Sequence, residues 1–314
     1  VPLVSAGGLV RAAAAAGKGV AAFNAVTIEH AEAIVLGATD AATPVILALS
    51  HNAIRYHGAL APMAAACREL AAAAAVDIGL HLDHIEDLDL VGEAAGAGFG
   101  SVMFDASRLD DTANRRRTAE AVAIAHAAGV WLESELGEVG GKDGLHAPTA
   151  RTDPAEADAF VGATGVDALA VAVGTSHAMT GRTAALDTVL VGRLRRRVAV
   201  PLVLHGSSGL TDAAIGDAVD AGIVKVNVGT QLNLAWRQAV RAGLAGDAGA
   251  DPRPALRHAR TAMADVVARI ARVVAGAGPG APVPTPKHAP PPQAPPERED
   301  RDGHDRERER TAGT

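Results

Sequence analysis

The stretch DIGLHLDHIEDLD, residues 77–89, decides the reading of the fold. An apolar run of strand length carries His81, Asp83 and His84, then turns acidic at once. Polar groups are costly to bury unless they are hydrogen-bonded or hold something. So much chemistry at one strand end therefore marks a binding place. Seven further runs have the same form: GVAAFN (19–24), PVILALS (44–50), SVMFDAS (101–107), GVWLESELG (129–137), ALAVAVG (168–174), PLVLHG (201–206) and IVKVNVG (223–229). Each has strand length and is bounded by Gly, Pro, Asp or Asn. Between them lie Ala-rich, charge-spotted segments of helical length, such as TIEHAEAIVLGATDA and TANRRRTAEAVAIAHAAG. Eight β–α units in one domain predict an α/β fold of the closed (β/α)8, or TIM, barrel type. An open doubly wound sheet is the runner-up. The first run, however, is not followed by the G-x-G-x-x-G turn of a dinucleotide fold.

Composition is consistent with this. The 314 residues are 48% hydrophobic but only 2% aromatic, so Ala, Val and Leu must fill the core. A formal net charge of −7 argues against general nucleic-acid affinity. No stretch reaches the ~20 uninterrupted apolar residues of a membrane span, and the first twenty residues have no leader pattern. The single Cys67, set among alanines, fits a buried helix position in a reducing compartment, so a cytoplasmic location is expected. Near residue 278 the composition changes. A barrel domain over 1–278, ending in a helical extension, is expected to precede a Pro-rich, then mixed-charge tail over 279–314 that is too poor in apolar residues to order itself.

Active sites of such barrels lie at the C-terminal strand ends. Those ends carry Asn24, Ser50, Asp83 with His84, Asp105 with Ser107, Glu133 with Glu135, His177, His205 and Asn227. Polar groups in phase on every strand predict one shared site. Imidazoles from the third, sixth and seventh runs (His84, His177, His205) give three ligands with an open fourth position, the pattern of a catalytic zinc ion. His81 lies three residues before His84, so alternation sends it to the opposite strand face, outside the site. Alternation also separates Asp83 from His84, unless the strand end bends or turns.

Glycines add a second signal. Gly174, Gly206, Ser207, Ser208 and Gly209 follow strands, and KVNVGTQLN (225–233) opens a helix. Small residues there let backbone N–H groups approach an anion, predicting a phosphate cradle with Ser208, Asn227 and Thr230 as donors. The glycine-rich segment 137–154 is long for a β–α connection and reads as a lid.

These residues resemble the class II, metal-dependent ketose-bisphosphate aldolases, within them the fructose- and tagatose-bisphosphate branch. The matching stretches are HLDHIEDLD, GFGSVMFDAS, LESELGEVGG, TGVDALAVAVGTSHAMT, PLVLHGSSGL, GIVKVNVGTQLN and DPRPALRHARTAM, in family order over nearly all of residues 1–275. The resemblance implies reversible cleavage of a ketose 1,6-bisphosphate into dihydroxyacetone phosphate and an aldehyde such as glyceraldehyde 3-phosphate. It implies Zn²⁺ on His84, His177 and His205, with Glu135 and Asp105 as a second resting place. Asp83 would exchange a proton with the hydroxyl next to the cleaved bond, a task suited to a carboxylate. Gly206, Ser208, Asn227 and Thr230 would hold the phosphate, with a monovalent cation (Na⁺ or K⁺). Asn24 and Ser50 would touch the substrate. Arg253 would reach the second phosphate of a neighbouring subunit, which implies a homodimer or homotetramer.

Three positions depart from the family. Ala178 stands where the family has a phosphate-binding Gly, and Thr180 where an aromatic is common. The lid reads GGKDGL, so Asp143 replaces the Glu that moves the proton at the nucleophilic carbon. Another phosphorylated ketose or sugar acid as substrate, or a weakly catalytic sugar-phosphate-binding barrel, are the alternatives these departures raise.

Overall fold

The computed structural model describes residues 3–136, 151–176, 179–246 and 249–276. The lid with Asp143, the metal-site candidate His177, its neighbour Ala178 and the tail lie outside these residues. The chain opens with β1 (Leu3–Val4) and α1 (Ala6–Ala15). The eight expected strands follow as β2 (Val20–Ala25), β3 (Val45–Ser50), β4 (Ile78–Ile85), β5 (Ser101–Phe104), β6 (Trp131–Glu135), β7 (Ala168–Ala170), β8 (Leu202–Leu204) and β9 (Ile223–Val228). All pair in parallel in the order β2-β3-β4-β5-β6-β7-β8-β9, and β9 returns to β2. The sheet is a closed eight-stranded (β/α)8 barrel, and the open-sheet alternative is excluded.

The helices between strands are α2 (Ile28–Ala41), α3 (His51–His57), α4 (Ala61–Ala72), α5 (Leu88–Glu93), α6 (Asp111–Ala127), α7 (Pro154–Thr164), α8 (Thr188–Arg197) and α9 (Asp212–Ala221). After β9 come α10 (Thr230–Gly246) and α11 (Arg253–Val274), the C-terminal helical extension. Several start on a local cap. Asp110 accepts from Ala113 N at 2.9 Å, and Asp153 accepts from Ala155 N at 2.7 Å, which satisfies amide donors that a helix start leaves orphaned. Helix α11 lies against α2 closely enough that a side chain at Gly37 would collide with Ala264 O and meet Val267 Cβ at 2.6 Å. Its buried Met263, Val267, Ile270 and Val274 give roughly 6–12 kcal/mol of gross burial, before ordering entropy is subtracted.

Strand alternation sets two layers. The outward face carries Phe23, Leu47, Leu49, Leu80, Leu82, Phe104 and Leu132 into the main core beneath the helices. The inward face is narrow and small-residued, with Ala22, Ala168, Ala170 and Val203. At the N-terminal mouth, Val20, Ala22 and Ile46 pack on Ala6 and Val10 of α1, with Trp131 and Val224 alongside. That plug was not anticipated. Strand β1 is two residues long, too short to leave a pattern.

Candidate active site

Asp83 enters the C-terminal mouth from β4. Its Oδ2 accepts from Asn24 Nδ2 at 2.8 Å and its Oδ1 from Asn227 Nδ2 at 3.1 Å. Amides from β2 and β9 thus hold a carboxylate that is 1% exposed. Burial alone would push this carboxyl up. The His84 imidazole beside it, helped by His81 and His205, holds it well below the usual carboxylate range. Asp83 stands in the mouth as an anion.

The next residue solves the alternation problem. His84 has φ 52°, a left-handed conformation rare for a residue with a side chain, and the β4–β5 register shifts between Leu82 and Ile85. The strand turns on itself, so Asp83 and His84 face one centre. The expectation for His81 is corrected: it points into the barrel, in phase with Asp83 two residues on, and lies 3.7 Å beneath it. Alternation counted back from His84 fails because His84 is the residue that breaks it.

His84 Nδ1 donates to Asp105 Oδ2 at 2.8 Å, and Asp105 Oδ1 accepts from Ser107 Oγ at 2.7 Å. His205, at the end of β8, donates from Nε2 to Glu133 Oε1 at 3.0 Å. These bonds fix both tautomers. The remaining nitrogens, His84 Nε2 and His205 Nδ1, confront each other at 3.1 Å. Two lone pairs at that distance require a cation or a proton between them. Burial opposes charge on His84, yet Asp83, and after it Asp105, raise it to about 9. The cluster demands positive charge.

A divalent ion fits that demand. Two nitrogens on a tetrahedral zinc ion at ~2.0–2.1 Å stand ~3.3 Å apart, close to the spacing here. Ligand atoms of Asp83, His84 and His205 lie within 4.8 Å of one another, and so do those of His84, Asp105 and Glu135. The structure therefore brings together four of the five sequence-predicted ligands, and His177 lies outside the described residues.

Below the site, Lys225 Nζ donates to Glu133 Oε2 at 2.7 Å and to His81 Nε2 at 3.0 Å, while His81 Nδ1 bonds Ser101 Oγ at 2.8 Å. Burial would raise Glu133, but Lys225 and His205 bring it down to about 2. Burial and Lys225 both lower His81, keeping it neutral. Sequence reading left this network unassembled. Its one signal was a lysine in the inward phase of the apolar IVKVNV.

Above the site, a cavity of about 350 Å³ is lined by Asn24, Ser50, Asp83, His84, His205 and Asn227, with Gly206, Ser208, Gly229 and Thr230 on one wall. Gly206 has φ 67°, and a side chain there would meet Ser176 C at 2.6 Å, so only glycine lets these loops touch. Ser207 Oγ donates to Asn227 O at 2.6 Å, and Thr175 Oγ1 to His205 O at 2.7 Å. The loops after β7, β8 and β9 are thereby knitted together. Ser208 Oγ, Ser176 Oγ and Asn227 Oδ1 are buried with no hydrogen-bond partner among the described residues, as expected of groups that meet a ligand. Ser50 Oγ caps α3 through Ala53 N. Thr180 is exposed. Arg253 is exposed at the start of α11, bonded to Asp251 at 2.9 Å, and does not line this chain's cavity. Arg55, Glu86 and Arg108 do line it, and sequence reading missed all three.

Residues 4–279 match the family described as fructose-bisphosphate aldolase class-II. The chain belongs to that family. A class II aldolase is a carbon–carbon lyase that acts on phosphorylated sugars and generally depends on a metal, for which the carboxylate–imidazole clusters offer ligands. The YdjI aldolase of Escherichia coli K12 is 30% identical to this aldolase, with a TM-score of 0.78 over 88% of this chain and 98% of that one. The fructose-bisphosphate aldolase Fba of Campylobacter jejuni shares the fold at 22% identity, with a TM-score of 0.74 over 88% and 96% of the two chains. Among the described residues of the aldolase, no helix is long and apolar enough to cross a membrane.

Proposed function

We propose that this aldolase reversibly cleaves a ketose 1,6-bisphosphate, of the fructose or tagatose series, to dihydroxyacetone phosphate and glyceraldehyde 3-phosphate. The observation that carries the reading is Asp83, an amide-held buried carboxylate, beside two imidazole nitrogens 3.1 Å apart in a cavity also lined by Gly206, Ser208, Gly229 and Thr230. A divalent ion, Zn²⁺ in our reading, supplies Lewis-acid polarisation of the ketose carbonyl when bound by His84, His205 and, from the resemblance, His177. Glu135 and Asp105 are its alternative holders.

The chain's own residues do the rest. Asp83 takes the proton of the hydroxyl beside the breaking bond, and Asn24 and Asn227 keep its two oxygens aimed at that hydroxyl. Asn24 Oδ1, buried and without a partner among the described residues, is left to meet the substrate. Gly206, Ser208 and Thr230 hold the phosphate, with the N-terminus of the 17-residue α10 behind it. A monovalent cation beside that phosphate, Ala178 in the cradle, Asp143 as the lid's proton carrier, Ser50 as a substrate contact and Arg253 acting across a dimer or tetramer complete the assignment by family resemblance. Burial of Cys67 fits the cytoplasmic location we assign.

The test is coupled-assay cleavage of fructose and tagatose 1,6-bisphosphates before and after chelation. Activity on one of them, lost to chelator and restored by zinc, is expected. Activity undiminished by metal removal sinks the mechanism.

A further inference from the structure

Inside the mouth, Ser207 and Thr175 tie the loops of the phosphate wall together. A second set of bonds ties the same loops from outside, and the reaction as derived makes no use of it. Arg182 stands in the connection after β7, Asp212 opens α9 after β8, Gln231 lies in the first turn of α10 after β9, and Arg269 lies on α11. One carboxylate oxygen, Asp212 Oδ1, accepts from the guanidiniums of both Arg182 and Arg269. Arg182 also donates from Nε to Leu210 O at 2.7 Å, and Arg269 from Nη2 to Gln231 Oε1 at 3.2 Å. The bonds thus run from the β7 connection through the start of α9 and through α11 to the start of α10. Beside them, Ala184 N donates to Gly209 O at 2.9 Å, and a side chain at Gly209 would stand 3.0 Å from Ala184 Cβ. The β7 connection therefore lies directly on the β8 loop. Leu210 is two residues from Ser208, and Gln231 is next to Thr230.

We propose that Asp212 is a positioning residue for phosphate binding: by holding Arg182 and Arg269 together it sets the spacing of the β8 and β9 loops, so that Ser208 and Thr230 meet one phosphate. This deepens the proposed function, on whose phosphate assignment it rests. Folding stability is not what the network supplies. The Asp212 side chain is 32% exposed and those of Arg182 and Arg269 are 40% and 39% exposed, and exposed ion pairs add little to stability. Geometry is what it supplies. Without the carboxylate, two guanidiniums of like charge stand side by side and repel, which moves the Leu210 end away from the Gln231 end. Burial would raise the Asp212 carboxyl, but Arg269 and Arg182 bring it down, so the bridge is ionised at neutral pH.

The test uses the zinc-loaded full chain, with inorganic phosphate as the probe and calorimetry as the readout, so that binding is measured without turnover. Cleavage of fructose and tagatose 1,6-bisphosphates is followed separately. Asp212→Asn is expected to weaken phosphate binding by about 3–30-fold, between the worth of an exposed pair and that of a charged hydrogen bond. On whichever bisphosphate is cleaved, KM should rise by a similar factor while kcat stays within about threefold, as for a contact made equally in ground state and transition state. Asp212→Glu keeps the charge and should bind phosphate within about threefold of native. Arg182→Met leaves the Arg269–Asp212 pair in place and should cost less on both readouts, and it carries the test if Asp212→Asn does not fold. Phosphate affinity unchanged in the folded variants, or a lower melting temperature as the only effect, overturns the positioning role and leaves the aldol reading intact. No cleavage by the native protein overturns the aldol reading, while the calorimetric arm still decides the role of Asp212.

Discussion

The two mouths of one barrel are built from the same strands and share almost no chemistry. At the N-terminal mouth the inward residues are Val20, Ala22, Ile46, Gly79 and Trp131, closed by α1. One or two inward positions further along the same strands stand Asn24, Ser50, Asp83 and Glu135. Between the mouths, Lys225, Glu133 and His81 form a buried polar floor. The difference separates two duties. The lower end needs only shape, and apolar atoms supply it. The upper end tolerates buried charge because neighbouring amides and imidazoles answer each charge. Substitutions at the upper end should therefore remove activity with little loss of fold, and those at the lower end the reverse.

The largest effect is expected at Asp83. Asp83→Asn keeps the volume and removes the proton acceptor, so kcat should fall by about 10²–10⁴-fold, the usual worth of a positioned acid–base group. The thermal midpoint should move little, since the amide can still bond Asn24 or Asn227. Initial-rate assays beside a melting curve check both halves. A comparable loss of fold and rate would erase the separation of duties.

The floor joins the two regions and should show both behaviours. Lys225→Met leaves Glu133 charged, 1% exposed and without its cation. Breaking one side of a buried pair costs about 3–5 kcal/mol, measurable by urea unfolding. Glu133 also holds His205 Nε2–H and thereby aims Nδ1 at His84 Nε2, where the proposed ion would bind. Disturbing such an outer partner lowers metal affinity by about 10–100-fold, which competition with a chromogenic chelator reads without any activity assay. Unchanged metal affinity in a folded variant would reduce the floor to packing.

Much of the upper mouth was legible because a strand's last inward residues are few and their period is two. Asn24, Asp83, Asp105, Glu135, His205 and Asn227 all reach the site that the runs predicted. What escaped was set by contacts that no periodicity records. The left-handed turn at His84 is a property of one residue, so it misdirected the reading of His81. The Lys225–Glu133 bond joins residues 92 apart and exists only because the ring closes. Arg55, on the short helix α3, and Arg108, in the β5–α6 connection, sit in polar stretches where charge is ordinary and signals nothing until the strand order is known. Strands β7 and β8, expected to run for six or seven residues, are three residues long, and the glycine-rich remainder of each run is cradle instead.

The smallest effect is expected at the lower mouth, where one methyl group is enough to measure. Gly79 packs so closely on α1 that an added Cβ would stand 2.7 Å from Ala6 Cα and 2.9 Å from Ala6 Cβ. The first is backbone and cannot swing aside, so Gly79→Ala must lift α1 or shift β4. Overpacking of this kind costs about 1–3 kcal/mol. No hydrogen bond or charge of the site is touched, and His81, the nearest polar residue on the strand, lies two positions on. Urea unfolding should show the lower stability, while kcat per folded molecule and zinc affinity stay within about twofold of native, as for sites that do not share partners. If turnover falls with stability, the strain has travelled up β4 from Gly79 to Asp83, and the two mouths form one cooperative unit after all.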